Sequence, residues 1–212
     1  MLVIALDTST PAVTAGLVAV ADGHARPLAE RVTVNPRAHG ELLMPHLTDV
    51  MAEAGRELSE VDAVVVGAGP GPFTGLRVGM VTAASLGHAL DVPVHPVCGL
   101  DAIAAQAATG APLLVATDAR RKEVYWAAYA ADGSRTTGPR VQRPAEVPTD
   151  GIAAAAGEMA GLFGLEVVGI AHPSPVGLVT AADLGAPPQP LVPLYLRRPD
   201  AQAPGPRKQV AR

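Results

Sequence analysis

The chain has 212 residues, a formal net charge of −4, 49% hydrophobic and 17% charged residues. That is enough for one large domain or two small lobes with a sizeable core, and it excludes disorder over most of the length. Aromatics make up only 3%, so the core must be built from Val, Leu, Ile and Ala. The single Cys98 excludes an intrachain disulfide and a cysteine-built zinc site. Arg far outnumbers Lys, but the total is acidic, which argues against a broad nucleic-acid surface.

The start, Met1 to Asp7, lacks a basic flank and reaches a carboxylate at once, so it does not read as a signal peptide. Residues 152–171 are the most membrane-like stretch, but Glu158, Glu166 and several glycines interrupt them. The expectation is a cytoplasmic protein with no membrane association. Leu2 to Asp7 reads as a central strand buried on both faces. Thr8 to Pro11 is a turn, Ala12 to Ala19 a second strand, and Asp22-Gly23 a hairpin signal leading to a third strand from Ala25 to Val34. A helix follows from Ala38 to Ala54, with Leu43, Leu47, Val50 and Met51 on one face, Pro45 inside and Gly55 as its stop. Val61 to Gly67 is a strand, Leu76 to Leu90 a helix, Val92 to Cys98 a strand and Gly99 to Ala108 a helix.

The pattern then restarts. Leu113 to Thr117, Glu123 to Ala130 and Arg135 to Val141 read as three further strands, and Asp132-Gly133 repeats the earlier hairpin signal. This internal repetition predicts two related lobes, residues 1–108 and 109–198, the second cut short. Residues 199–212, with Pro204-Gly205-Pro206, are expected to form a disordered, dispensable tail.

Three segments carry candidate chemistry. Asp7-Thr8-Ser9-Thr10 places a carboxylate and hydroxyls at a strand end; it is either a phosphate or metal contact or an Asx-type turn that closes the hairpin. Gly67-Ala-Gly-Pro-Gly71-Pro-Phe-Thr74-Gly75-Leu-Arg77 joins a strand to a helix, with Thr74 as the expected N-cap. It is neither a P-loop nor a dinucleotide fingerprint, and it is either an anion cradle or a stiff connector. In the next helix Gly75, Gly79, Ala83 and Gly87 recur every four residues and form a ridge without side chains. Such a ridge admits a close neighbour, either within the domain or from a partner subunit. The histidines lack metal-ligand spacing, no Ser sits in a nucleophile elbow, and Arg120-Arg121-Lys122 read as a solvated hairpin tip.

Several of these segments together resemble the TsaB (YeaZ) family. They are Ala5-Leu-Asp7-Thr-Ser-Thr, His39-Gly-Glu-Leu-Leu-Met-Pro45, Gly69-Pro-Gly-Pro-Phe-Thr-Gly-Leu-Arg77-Val-Gly79, Asp118-Ala-Arg120 with Glu123-Val-Tyr-Trp126, and Pro193-Leu-Tyr195-Leu-Arg197. Pro72 stands where that family usually has Ser. The resemblance implies an α/β, actin/hexokinase-like fold of two ribonuclease-H-like lobes, the second truncated. It also implies a non-catalytic subunit for threonylcarbamoyladenosine synthesis in tRNA, without a cofactor of its own. The implied partners are the catalytic paralogue TsaD, a TsaE-like ATPase and a second copy of the chain, with tRNA contacted only indirectly. The stretch Pro96 to Ile103 resembles the metal-binding segment of TsaD, but Gly99 and Ile103 stand at the histidine positions. The expected subunit interface comprises Leu43, Leu47, Met51, Gly75, Leu76, Gly79, Ala83 and Gly87. Asp7, Thr8, Ser9, Gly71, Thr74 and Arg77 are the expected anion or nucleotide contacts at a subunit junction. The alternatives are an actin-like ATPase or sugar-kinase relative, and a peptidase.

Overall fold

A computed structural model describes residues 1–197. Two five-stranded sheets have the same strand order. The first runs β3-β2-β1-β4-β5, built from β1 (Leu2–Asp7), β2 (Ala12–Ala21), β3 (His24–Val34), β4 (Ala63–Gly67) and β5 (Val94–Val97). The second runs β8-β7-β6-β9-β10, from β6 (Leu113–Asp118), β7 (Val124–Tyr129), β8 (Arg135–Gln142), β9 (Ala154–Ala156) and β10 (Glu166–Val167). In each sheet the first three strands are antiparallel neighbours and the fourth and fifth are added in parallel. This is the actin/hexokinase-like arrangement with its second copy shortened.

The central strands show why the apolar runs are continuous. Ile4 and Leu6 of β1, with Val64 and Val66 of β4, face one core; Val3, Ala5, Ala63 and Val65 face another. A strand covered on both faces has no polar side to display. Helices α1 (His39–Ala54) and α2 (Phe73–Leu90) cover the first face. Helices α3 (Gly99–Ala107) and α4 (Pro175–Ala181) cover the second. Helix α3 is the seam of the molecule: Ala102 packs toward the first sheet, whereas Leu100, Ile103 and Ala104 pack on the second.

Local signals explain most boundaries. Asp22 and Gly23 have φ of 52° and 76°, the two left-handed residues of a type I′ turn. Gly55, at φ 62°, ends α1, and Arg56 N–H returns to Met51 O at 3.1 Å. Helix α1 runs through Pro45, which sits on its exposed side. Two expectations are corrected. The N-cap of α2 is Pro72, not Thr74, so the helix begins earlier and without a side-chain cap. The second hairpin is not a copy of the first. Its loop spans residues 131–133, Gly133 alone is left-handed at φ 83°, and Asp132 accepts from Ser134 N and Oγ. Arg120, Arg121 and Lys122 form the exposed turn between β6 and β7, as expected, and all three have left-handed φ of 64°, 52° and 63°. The expected tail, residues 199–212, lies outside the described residues.

Candidate functional site

At the end of β1 the chain turns under the N-terminus of α2. Asp7 is fully buried, and its carboxylate accepts Ser9 N–H at 3.0 Å and Ser9 Oγ at 2.8 and 3.1 Å. Burial pushes its pKa up to about 6, and the hydrogen bonds from Ser9 and Thr10 restrain that rise. A Cβ on Gly67 would collide with the Asp7 carboxylate, and one on Gly71 with Ser9 O. The glycine loop therefore lies flush on this turn. Its compositional signal comes from close backbone approach.

The same turn explains the glycine ridge. Thr8 Oγ1 donates to Gly75 O at 2.7 Å and accepts from Gly79 N at 3.0 Å. A Cβ at Gly75 would lie 2.5 Å from Thr8 O, and one at Gly79 would lie 2.5 Å from Thr8 Oγ1. One helical turn beyond, Ala83 is buried, and a Cβ at Gly87 would run into Val94 of β5. The expectation that Gly75, Gly79, Ala83 and Gly87 face a partner is thus corrected: the ridge seats α2 on its own sheet. Leu43, Leu47, Met51 and Leu76 are likewise buried within the chain. An amphipathic helix turns its continuous apolar stripe toward the nearest sheet.

What α1 and α2 leave outside is a shallow apolar groove lined by Met44, Val81, Thr82, Ser85, Leu86 and Ala89. Met44 is 45% and Val81 63% exposed. Sequence periodicity points to the longest apolar stripe of each helix, and the outer one is short and mixed.

The expected anion contacts are only partly brought together. Asp7, Thr8, Ser9 and Gly71 cluster, but all four are buried, Asp7 and Ser9 are bonded to each other, and Thr8 is bonded to α2. Thr74 reaches an open cleft of about 170 Å³, with Ser9, Thr10 and His39 on one wall and Asp118, Arg120 and Glu158 on the other. Arg77 lies apart from that cleft. Its guanidinium sits 3.8 Å over the Phe73 ring, and its Nε donates to Tyr195 Oη at 3.1 Å. Within the cleft Glu158 accepts Asp118 N–H at 2.9 Å, and Arg120 N–H is held by Asp118 at 2.8 Å. Among the described residues no group of three or more His, Cys, Asp or Glu is placed to hold a metal ion. Burial pushes the Cys98 thiol up to about 11, which disfavours the nucleophilic thiolate at neutral pH, and it lowers the pKa of His95. No helix among the described residues is long and apolar enough to cross a membrane.

Residues 32–160 match the family described as TsaD: tRNA N6-adenosine threonylcarbamoyltransferase. An uncharacterized protein of Mycobacterium tuberculosis is 55% identical over 94% of this chain and 93% of its own length. The Escherichia coli protein named tRNA threonylcarbamoyladenosine biosynthesis protein TsaB is 36% identical over 62% of this chain and 56% of its own. The chain thus spans little more than half the length of that relative. The solved structure of YeaZ from Pseudomonas aeruginosa superposes with a TM-score of 0.76, at 30% identity, over 92% of this chain and 99% of that one. With the duplicated sheets and the glycine-seated α2 already described, these matches establish that the chain belongs to the TsaB (YeaZ) family.

Proposed function

We propose that this protein is a non-catalytic scaffold and activator in tRNA threonylcarbamoyladenosine biosynthesis, and that the outer face of α1 and α2 docks on a TsaD-type catalytic subunit. The observation that carries the docking reading is the exposed groove around Met44 and Val81, on helices whose opposite faces are already filled by their own sheet. Apolar side chains in a continuous groove gain most when a partner removes them from water. The chemistry of the first turn supports an accessory role. The two oxygens of Asp7 are taken up by Ser9, and Gly99 and Ile103 offer no ligand atoms where TsaD-like segments carry histidines. A homodimer through the same face, a TsaE-type ATPase as third component and only indirect contact with tRNA belong to the same proposal.

The test is co-purification with the TsaD-type protein of the same organism, together with an assay of tRNA modification. Val81→Glu places a charge in the groove without touching the core. The expected result is a folded protein with at least a hundredfold weaker association, equivalent to about 3 kcal/mol, and a matching loss of tRNA modification. Normal association of the Val81→Glu variant would rule out this face. Unaided nucleotide hydrolysis that disappears in Asp7→Asn would overturn the non-catalytic reading.

A further inference from the structure

The C-terminal segment 191–197 has no regular secondary structure, yet it touches both halves of the molecule. Its backbone folds through successive tight turns: Val192 N–H returns to Pro190 O at 2.8 Å, Tyr195 N–H to Pro193 O at 3.0 Å, and Leu196 N–H to Leu194 O at 3.2 Å. On the first lobe Leu191 packs against the core under α1 and α2, and Leu194 N–H donates to Ala68 O, inside the glycine loop, at 2.8 Å. Tyr195 stacks on Phe73 at 5.3 Å between ring centres and accepts from Arg77. These are the loop and first turn of α2. On the second lobe Leu196 packs against the core shared by α3, β6 and β7. Arg197 donates to Ala119 O at 2.5 Å and pairs with Glu123 at 2.7 Å.

The target of Arg197 is the left-handed turn of Arg120, Arg121 and Lys122. Three successive non-glycine residues in this region cost on the order of 1–2 kcal/mol each, so the turn persists only where surrounding contacts hold it. Its flanking Ala119 N–H to Glu123 O bond, at 3.0 Å, closes the turn from within, and Arg197 clamps it from outside. The turn carries Arg120 and adjoins Asp118, which form one wall of the interlobe cleft; the loop held by Leu194 and Tyr195 leads into Thr74 and Gly75 on the other wall.

We infer that residues 191–197 are an interlobe strap that couples the glycine loop of the first lobe to the left-handed turn of the second, and so sets the two walls of the cleft as one unit. In proteins of two hinged lobes a cleft opens by relative motion. Here one seven-residue segment fastens each wall with its own anchor, so that loosening one anchor frees the other. This inference is independent of what docks on α1 and α2.

Coupling through a shared element is reciprocal, and that makes it testable. Amide hydrogen exchange is measured on the full chain and on Arg197→Ala and Tyr195→Ala. Arg197→Ala removes an anchor on the second lobe; the expected result includes at least tenfold faster exchange in residues 68–76 of the first. Tyr195→Ala removes an anchor on the first lobe, and exchange in residues 119–123 is expected to rise by a similar factor. Amides in β1, β4 and β6 remain protected in both variants, which separates release of the strap from global unfolding. If Arg197→Ala fails to fold, Glu123→Gln removes the ion pair and keeps the carbonyl contact, with the same readout at residues 68–76. Faster exchange confined to the lobe that carries each mutated anchor would overturn the inference.

Discussion

The two lobes share a strand order but differ in what they hang on it. In the first, β3 is followed by the sixteen-residue α1 and β4 by the eighteen-residue α2. In the second, the same connections contain only single 3-10 turns at residues 144–146 and 160–162, and β9 and β10 have three and two residues. The second sheet is covered on one face by the shared α3 and on the other by Val147, Met159, Ala160 and Phe163 around the fully buried Trp126. A sheet needs both faces covered, but it does not need helices to do so. The first lobe thus brings the first turns of both long helices to the cleft, whereas the second contributes only the end of β6 and loop groups there. The exposed apolar groove between two long helices exists in one lobe alone among the described residues.

The largest expected effects break the first lobe at its close contacts. Gly79→Leu should abolish cooperative folding in urea, because the added side chain meets Thr8 and the turn beneath it. Overpacking costs typically 1–3 kcal/mol, and loss of the Thr8 hydrogen bonds adds to that. Gly169→Ala in the second lobe meets open space and should stay within about 0.5 kcal/mol of the parent. A folded Gly79→Leu protein would show that α2 can lift from its sheet.

The second lobe concentrates its packing in one aromatic. Trp126→Ala removes a fully buried side chain and its Nε1–H bond to Gln142 at 2.9 Å. A loss of about 3–5 kcal/mol is expected by denaturant titration. Near-UV circular dichroism cannot follow the variant through the missing indole, so far-UV signal is the readout. A loss below about 1 kcal/mol would mean that the small second sheet collapses around the gap, as a helix-covered sheet does not.

A smaller effect lies at Asp7. Its folded pKa is raised to about 6 from an ordinary 3.8. The folded state therefore binds this proton more tightly than the unfolded one. The associated stability is fully present below about pH 4 and is lost as pH rises through 6. The change is about 3 kcal/mol at the usual 1.36 kcal/mol per pKa unit. Asp7→Asn should flatten that part of the stability profile between pH 4 and 6, measured by thermal melts across pH. An unchanged slope would show that the carboxylate is solvated after all.

Much of the fold was legible because each signal was local. Continuous apolar runs bounded by turn residues marked β1, β4 and β6, and Asp22-Gly23 marked a two-residue turn that only left-handed residues can make. The spacing of Gly75, Gly79, Ala83 and Gly87 announced a close approach, and a close approach is there. Periodicity states which side of a helix is bare but not which body comes near it, so the ridge that suggested a partner turned out to receive Thr8 and Val94. Asp132-Gly133 carried the same letters as the first hairpin, yet a longer loop and the Ser134 bonds made another turn of it.

The sequence by itself determined the duplicated strand pattern, the dual burial of the central strands and the family, since these rest on neighbours within a few residues or on motif identity. Only the tertiary structure decided that Asp7 is occupied by Ser9, that Arg77 belongs to Phe73 and Tyr195, and that Arg197 holds a turn nearly eighty residues back along the chain. The physical reason is separation: the energy of those contacts depends on distances set by the packing of two sheets around α3, and no local preference along the chain records them.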